Sequence, residues 1–186
     1  MQIVGIAGSL RKGSFNRQLL EAMAALAPEG VTIACHGIEG IPVYDGDVEN
    51  DSGIPAAVET LKEACSKSDG LLLVTPEYNQ SVPGPLKNAM DWMSRPPKDI
   101  GKVFRGLPVA LTGASAGPNG SRAAQYAWLP VFRGLGLQPW FGGQLYLPRA
   151  GEAFDEVGQF SDPDMRDRAQ QFVSGFARFV DQNGRQ

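Results

Sequence analysis

The chain has 186 residues, of which 42% are apolar, with a formal net charge of −3, 23 glycines, 14 prolines, two cysteines and one histidine. That length supports a core without disulfides or metals, glycine and proline are too few for a low-complexity chain, and the near-balanced charge leaves no electrostatic footprint for nucleic acid. No apolar run approaches the roughly 18 residues of a membrane span, Met1–Ala7 has no basic leader segment, and two cysteines with one histidine cannot build a disulfide framework or a closed zinc site. The expectation is one globular domain over 1–186 in a reducing, cytoplasmic compartment, with neither nucleic acid nor membrane as a partner.

In chain order, an apolar run at 2–7 is followed by a helical stripe of Leu19, Leu20, Met23, Leu26 and Ala27, ended by Pro28-Glu29-Gly30. A second run, 31–35, leads to an acidic stretch, 44–53, expected to be a solvated loop. Ile54, Val58, Leu61 and Cys65 form the next stripe, with Ser52 as its expected cap. The run 70–75 is continuous rather than alternating, as in a strand covered on both faces. Leu86, Ala89, Met90 and Met93 form a third stripe, and a proline-rich loop, 95–108, precedes the run 107–112. Pro130 should kink or split a helix over 121–135. A fifth run spans about 137–147, and a final helix opens with Asp162 as cap and Pro163 at its first position, with Gly184 beyond its end. Strands alternating with helices imply parallel βαβ units. Right-handed crossovers then favour an α/β, flavodoxin-like, doubly wound five-stranded parallel sheet of order 2-1-3-4-5 with helices on both faces.

In such a sheet ligands bind beyond the carboxyl ends of the strands, where strand order reverses. That directs attention to the loops after the first, third and fourth runs. The first, Gly8-Ser9-Leu10-Arg11-Lys12-Gly13-Ser14-Phe15-Asn16, combines glycines, hydroxyls, a guanidinium and a helix amino end, all suited to a phosphate. The bland alternative is an exposed loop whose charges face water. Neither a Walker loop nor a Gly-x-Gly-x-x-Gly dinucleotide fingerprint fits, and Cys35-His36-Gly37 stands where a ribose-binding acid belongs, so a mononucleotide suits the loop better.

The second loop, Pro76-Glu77-Tyr78-Asn79-Gln80-Ser81-Val82-Pro83-Gly84-Pro85, is stiffened by three prolines and offers an aromatic face at Tyr78. Alternatively it is only a rigid strand-to-helix turn. Trp92 lies about 120° from the buried stripe of the helix that follows, so it is either exposed or at a subunit interface, and the interface is favoured. The third loop contains Gly113-Ala114-Ser115-Ala116-Gly117, which matches the Gly-x-Ser-x-Gly elbow of hydrolases. That reading fails because the single histidine, His36, precedes Ser115 instead of following it.

Gly-Ser-Leu-Arg-Lys-Gly-Ser-Phe-Asn at 8–16, Pro-Glu-Tyr-Asn at 76–79 and Ser-Val-Pro-Gly-Pro-Leu-Lys-Asn-Ala-Met-Asp-Trp at 81–92 together resemble the NADPH-dependent FMN reductase family, nearest its bacterial quinone, chromate and ferric reductases. The resemblance implies a flavodoxin-like fold holding FMN and a hydride transfer from NADH or NADPH through the flavin to such an acceptor. It implies that Ser9, Arg11, Ser14, Phe15 and Asn16 hold the FMN phosphate, that Pro76, Glu77, Tyr78 and Asn79 line the ring and ribityl chain, and that Ser115, Ala116 and Gly117 close the far side. It also implies a homodimer or homotetramer, in agreement with Trp92 at an interface. No side chain is assigned as catalytic, because the cofactor carries the chemistry. One departure is Gln80, where related sequences often carry another aromatic. Competing readings are a flavodoxin-type electron carrier, disfavoured by the modest charge and by Arg11, and a reductase that releases free reduced FMN.

Other signals point to structure. His36 closes the second strand away from the three loops, Cys35 and Cys65 suit inert packing, and the acidic run 45–51 lacks the glycine and glutamate of a calcium loop.

Overall fold

The computed structural model describes residues 1–185. Four strands, β1 (Gln2–Ala7), β2 (Thr32–His36), β3 (Gly70–Val74) and β4 (Pro108–Ala114), pair in parallel in the order β2-β1-β3-β4. The fifth position is divided between two short strands. β5 (Gln138–Pro139) pairs with the start of β4, and β6 (Tyr146–Leu147) with its end, where Gly113 faces Tyr146. The expected order 2-1-3-4-5 therefore holds, and the single run read over 137–147 is interrupted. Pro139 has no N–H to continue the ladder, and Trp140 with Gly142 and Gly143 carries the chain off the sheet edge before it returns.

The helices are α1 (Phe15–Ala24), α2 (Gly46–Ser52), α3 (Ala56–Lys67), α4 (Gly84–Met93), α5 (Ile100–Val103), α6 (Arg122–Ala127), α7 (Leu129–Leu135) and α8 (Pro163–Asn183). One face of the sheet packs Ile3, Ala7, Leu72 and Val74 against Leu19 and Met23 of α1 and Phe172 and Phe176 of α8. The other packs Val4, Ile6, Leu71 and Leu73 against α3, α4 and α7. The alternate residues of β3 thus serve opposite cores, which is why its sequence is apolar throughout.

Cap chemistry explains the helix limits. Asp162 accepts from the N–H of Asp164 at 3.0 Å and Pro163 occupies the first turn of α8, as expected. Pro130 sits in the first turn of α7 and the break from α6 falls at Trp128, so 121–135 is split as its proline required. The acidic stretch 44–53 is not a loop. It contains α2, capped by Asp45 and tied down where Tyr44 Oη donates to Glu49 Oε2 at 2.9 Å and Arg95 Nε pairs with the same oxygen at 2.8 Å. No buried stripe announces this helix, because none of its residues is buried. Ser52 accordingly ends α2, and Pro55 rather than Ser52 precedes α3.

Trp92 requires a second correction. It is fully buried in its own chain, donates from Nε1 to the carbonyl of Pro42 at 2.8 Å and meets Tyr44 edge-on at 5.0 Å. The segment 42–44 crosses the helix where an exposed or interface position was expected, a contact between residues some 50 positions apart that helical periodicity does not encode. Cys35 is exposed rather than packed away. Crowding around the sulfur, then the Glu21 carboxylate, push its thiol up from the usual range.

Cys65 is fully buried on α3, and burial pushes its thiol up to about 12. The folded chain therefore keeps a proton that the unfolded chain loses above its ordinary thiol range near 8.5. Stability should fall as pH rises from about 9 towards 12, by up to about 1.4 kcal/mol per pH unit from this group. Urea midpoints at pH 8 and pH 10.5 read the loss, and Cys65→Ala should reduce the difference between them. An unchanged difference in the variant would refute this origin.

Candidate functional site

The carboxyl ends of β1, β3 and β4 are adjacent in the sheet, and the loops that leave them enclose a cavity of about 170 Å³. Its lining is Ser9, Arg11, Ser14, Phe15, Asn16, Pro76, Glu77, Tyr78, Ala114, Ser115 and Ala116. Of the residues expected from sequence, Asn79 and Gly117 alone lie outside this lining. Ala114 is the addition: it lies within the third loop motif but was not among the expected contacts, and in the structure it is the last residue of β4.

The first loop is a set of unclaimed donors. Ser14 caps α1, its Oγ accepting from the N–H of Arg17 at 3.2 Å, which leaves its own hydroxyl hydrogen free. Ser9 Oγ accepts from the N–H of Arg11 at 3.4 Å. The backbone N–H groups from Lys12 to Asn16 find no acceptor among the described residues, as expected where a helix begins. Arg11 is exposed, forms no ion pair among the described residues and stands over the Phe15 ring at 5.7 Å. Arg17, by contrast, is committed to Glu39.

Asn16 has a different task from its neighbours. Its side chain is buried, donating from Nδ2 to the carbonyl of Ala114 at 3.1 Å and accepting at Oδ1 from the Ala114 N–H at 2.9 Å. It clamps the start of α1 to the end of β4, and both sides of its amide are engaged, leaving one Nδ2 hydrogen. Glu77 makes an equivalent brace between the second and third loops. Its Oε2 accepts from the N–H groups of Ala123 and Ala124 at 2.8 and 3.2 Å, capping α6, whose own N-cap residue Ser121 provides no side-chain bond.

A third brace lies behind the cavity. Thr75 Oγ1 donates to the Pro76 carbonyl at 2.8 Å and accepts from Trp128 Nε1 at 3.0 Å, with both residues fully buried. Gly113 permits this approach of β3 and β4, since a Cβ there would lie 2.0 Å from the Thr75 carbonyl oxygen. Neither Thr75 nor Trp128 is found by motif reading. A hydroxyl that ends a strand and a tryptophan between two helices become partners only once the sheet has formed.

The second loop closes in a tight turn. Tyr78 and Ser81 exchange backbone hydrogen bonds of 3.0 and 3.2 Å, while Asn79 and Gln80 adopt φ of 50° and 59°. Two successive positive φ values are those of a type I′ turn, where asparagine is at home and glutamine is strained. Tyr78 is left exposed at the rim. In the third loop, Ser115 Oγ donates to the Gly117 carbonyl at 3.1 Å and accepts from the Gly120 N–H at 3.0 Å. Its hydroxyl thus shapes its own loop and has no histidine to activate it as a nucleophile, since His36 ends β2 at the far side of β1.

Comparison with known proteins adds to this geometry. Residues 1–152 match the model of the NADPH-dependent FMN reductase family. The chain is 42% identical to an NAD(P)H-dependent FMN reductase of Pseudomonas aeruginosa, over 97% of this chain and 95% of that protein. It is 37% identical to a 2-hydroxy-1,4-benzoquinone reductase of a Burkholderia species, over 97% and 96% respectively. Among solved structures, FerB, a flavoenzyme NAD(P)H:(acceptor) oxidoreductase from Paracoccus denitrificans, superposes with a TM-score of 0.88 at 31% identity, covering 99% of each chain. The chain belongs to the NADPH-dependent FMN reductase family and is an NAD(P)H-dependent, FMN-using oxidoreductase.

Proposed function

We propose that this protein is an FMN-containing NAD(P)H:quinone oxidoreductase that works by a ping-pong scheme and also accepts chromate or ferric complexes. The observation that carries the reading is the donor set at the first loop. Free N–H groups, the Ser14 hydroxyl and the Arg11 guanidinium converge on one cavity, whose single carboxylate, Glu77, is turned away into the cap of α6. Such a set fits a phosphate dianion. Ser9, Arg11, Ser14 and the adjoining backbone would hold the phosphate. Pro76 to Asn79 would line the ribityl chain and ring, and Ser115 to Gly117 would close the remaining side.

FMN, when bound, supplies the acceptance of a hydride from NAD(P)H at N5 and its delivery to the acceptor. The chain's own contribution is position. The braces from Asn16, Glu77 and Thr75 hold the three loops before any ligand arrives, which limits the entropy lost on binding. A cavity of about 170 Å³ is smaller than the roughly 300–1,000 Å³ of sites that enclose a whole ligand. A ligand held here therefore keeps one side open, and donor and acceptor would use that side in turn. The relatives named as quinone reductases support a quinone as the acceptor.

Assembly into a homodimer or homotetramer is part of the same proposal and rests on the family resemblance, since Trp92 is a core residue. Two unbridged cysteines accord with a cytoplasmic site of action, and no helix of the described residues is long and apolar enough to cross a membrane. The test is the visible spectrum of the purified protein under anaerobic conditions. Bound flavin should bleach on adding NADPH or NADH and recover on adding a benzoquinone, with parallel double-reciprocal plots. Flavin that stays oxidised would favour an electron carrier, and flavin lost on gel filtration would favour release of free reduced FMN.

A further inference from the structure

A second concavity, about 450 Å³ in volume, lies at the sheet edge between the loop after β5 and the outer side of α8, and it shares no residue with the site above. On α8, Phe172 and Phe179 line it, and its polar wall is Arg168, Gln171, Gly175, Arg178 and Gln182. The spacing 3, 4, 3, 4 places these five on one helical stripe. The neighbouring stripe, Ala169, Phe172, Val173, Phe176 and Val180, is the one that enters the core. The cavity stripe is uniformly polar or small, and the whole lining contains two arginines and no carboxylate, in a chain whose net charge is −3. Neither Arg168 nor Arg178 enters an ion pair among the described residues.

The opposite wall is the indole of Trp140. Its ring meets Phe172 edge-on at 5.0 Å and Phe176 at 5.8 Å, so its position is fixed by the core. Glycines surround it because nothing larger fits: a Cβ at Gly142, Gly143 or Gly175 would lie 2.4, 2.7 or 2.9 Å from the ring. Gly175 is the telling one. Glycine inside a long helix is destabilising relative to alanine, yet here it lets the indole seat against the helix, with Trp140 Cζ2 at 2.9 Å and Arg178 Nη2 at 3.8 Å from where a Cβ would stand. Trp92 and Trp128 donate their indole N–H groups to Pro42 and Thr75, whereas Trp140 Nε1 has no partner among the described residues.

We propose that this groove is a binding site for a planar aromatic anion, whose carboxylate or equivalent group pairs with Arg178 while its ring lies along Trp140. A guanidinium offers two parallel N–H donors to a carboxylate, and an indole offers both a stacking surface and a donor. Arg168, ten residues earlier on α8, adds positive potential along the same groove.

The probe is 2-naphthoate, titrated calorimetrically into the FMN-loaded protein, with the neutral 2-naphthalenemethanol as comparison. One naphthoate should bind per chain, and the alcohol should bind at least about tenfold more weakly. Arg178→Gln should weaken naphthoate binding by about tenfold or more, and Gly175→Ala, whose Cβ would push the Trp140 indole from its seat, should weaken it as well. Flavin content and NADPH–quinone turnover should be unchanged in Arg178→Gln. Absence of binding, equal affinity in Arg178→Gln, or displacement of the naphthoate by NADPH would overturn the assignment, the last by locating the probe at the flavin site. Because the readout is binding heat, failure here is separable from failure of the proposed reductase activity.

Discussion

Arg11→Ala is expected to weaken FMN binding by about 1.5–3 kcal/mol, the usual worth of a hydrogen bond to a charged group, or about 10- to 150-fold in Kd. The guanidinium is exposed, pairs with no carboxylate among the described residues and stands over the Phe15 ring at 5.7 Å, so its removal should leave the fold intact. The loss should therefore appear in a fluorescence titration of the apoprotein with FMN and not in the thermal unfolding of that apoprotein. Riboflavin, which lacks the phosphate, should bind wild type and variant alike. Wild-type FMN affinity in the variant would remove the phosphate from the first loop.

Asn16→Ala should have the opposite profile, a large loss of stability in the absence of any ligand. The substitution strips partners from both the N–H and the carbonyl of Ala114, which is itself buried. A buried polar group left unsatisfied costs about 1–3 kcal/mol, so the pair should cost about 2–5 kcal/mol. Urea denaturation of the apoprotein reads this directly. Asn16→Asp should recover only part of the loss, because a carboxylate can accept from the Ala114 N–H but cannot donate to its carbonyl. If Asn16→Ala unfolds at the wild-type midpoint, the clamp between α1 and β4 is not structural, and Asn16 is available to a ligand.

These two residues, five positions apart in a single motif, show why the motif alone could not divide the labour. Ser9, Arg11, Ser14, Phe15 and Asn16 are equally plausible phosphate contacts in a linear reading, since each can donate or cover. Asn16 is set apart because its partner is 98 residues away, on a strand that lies beside the loop only in the finished sheet. Glu77 is a similar case. Its place in Pro-Glu-Tyr-Asn suggests a ligand contact, and although it lines the cavity its carboxylate also caps α6, accepting from an N–H 46 residues later. The error at Trp92 has the same origin. Its angle from the apolar stripe was read correctly, but the segment that covers it, Pro42–Tyr44, belongs to no regular element and carries no periodic signal.

Strand order, the two-sided burial of β3, the split at Pro130 and the start of α8 were all legible, because each follows from local rules: apolar period, the missing N–H of proline, a capping carboxylate before a helix. The loops that form the site were legible as well, since a parallel sheet sends its ligands to the carboxyl ends of its strands whatever the loops contain. What only tertiary structure decided is which of the side chains lining the cavity keep free hydrogen-bonding groups and which are engaged in holding the loops together. A hydrogen-bonding group has the same chemistry in either role. Its allocation depends on the nearest unsatisfied backbone group, and at Ala114 and Ala123 that group is supplied by a different element of the fold.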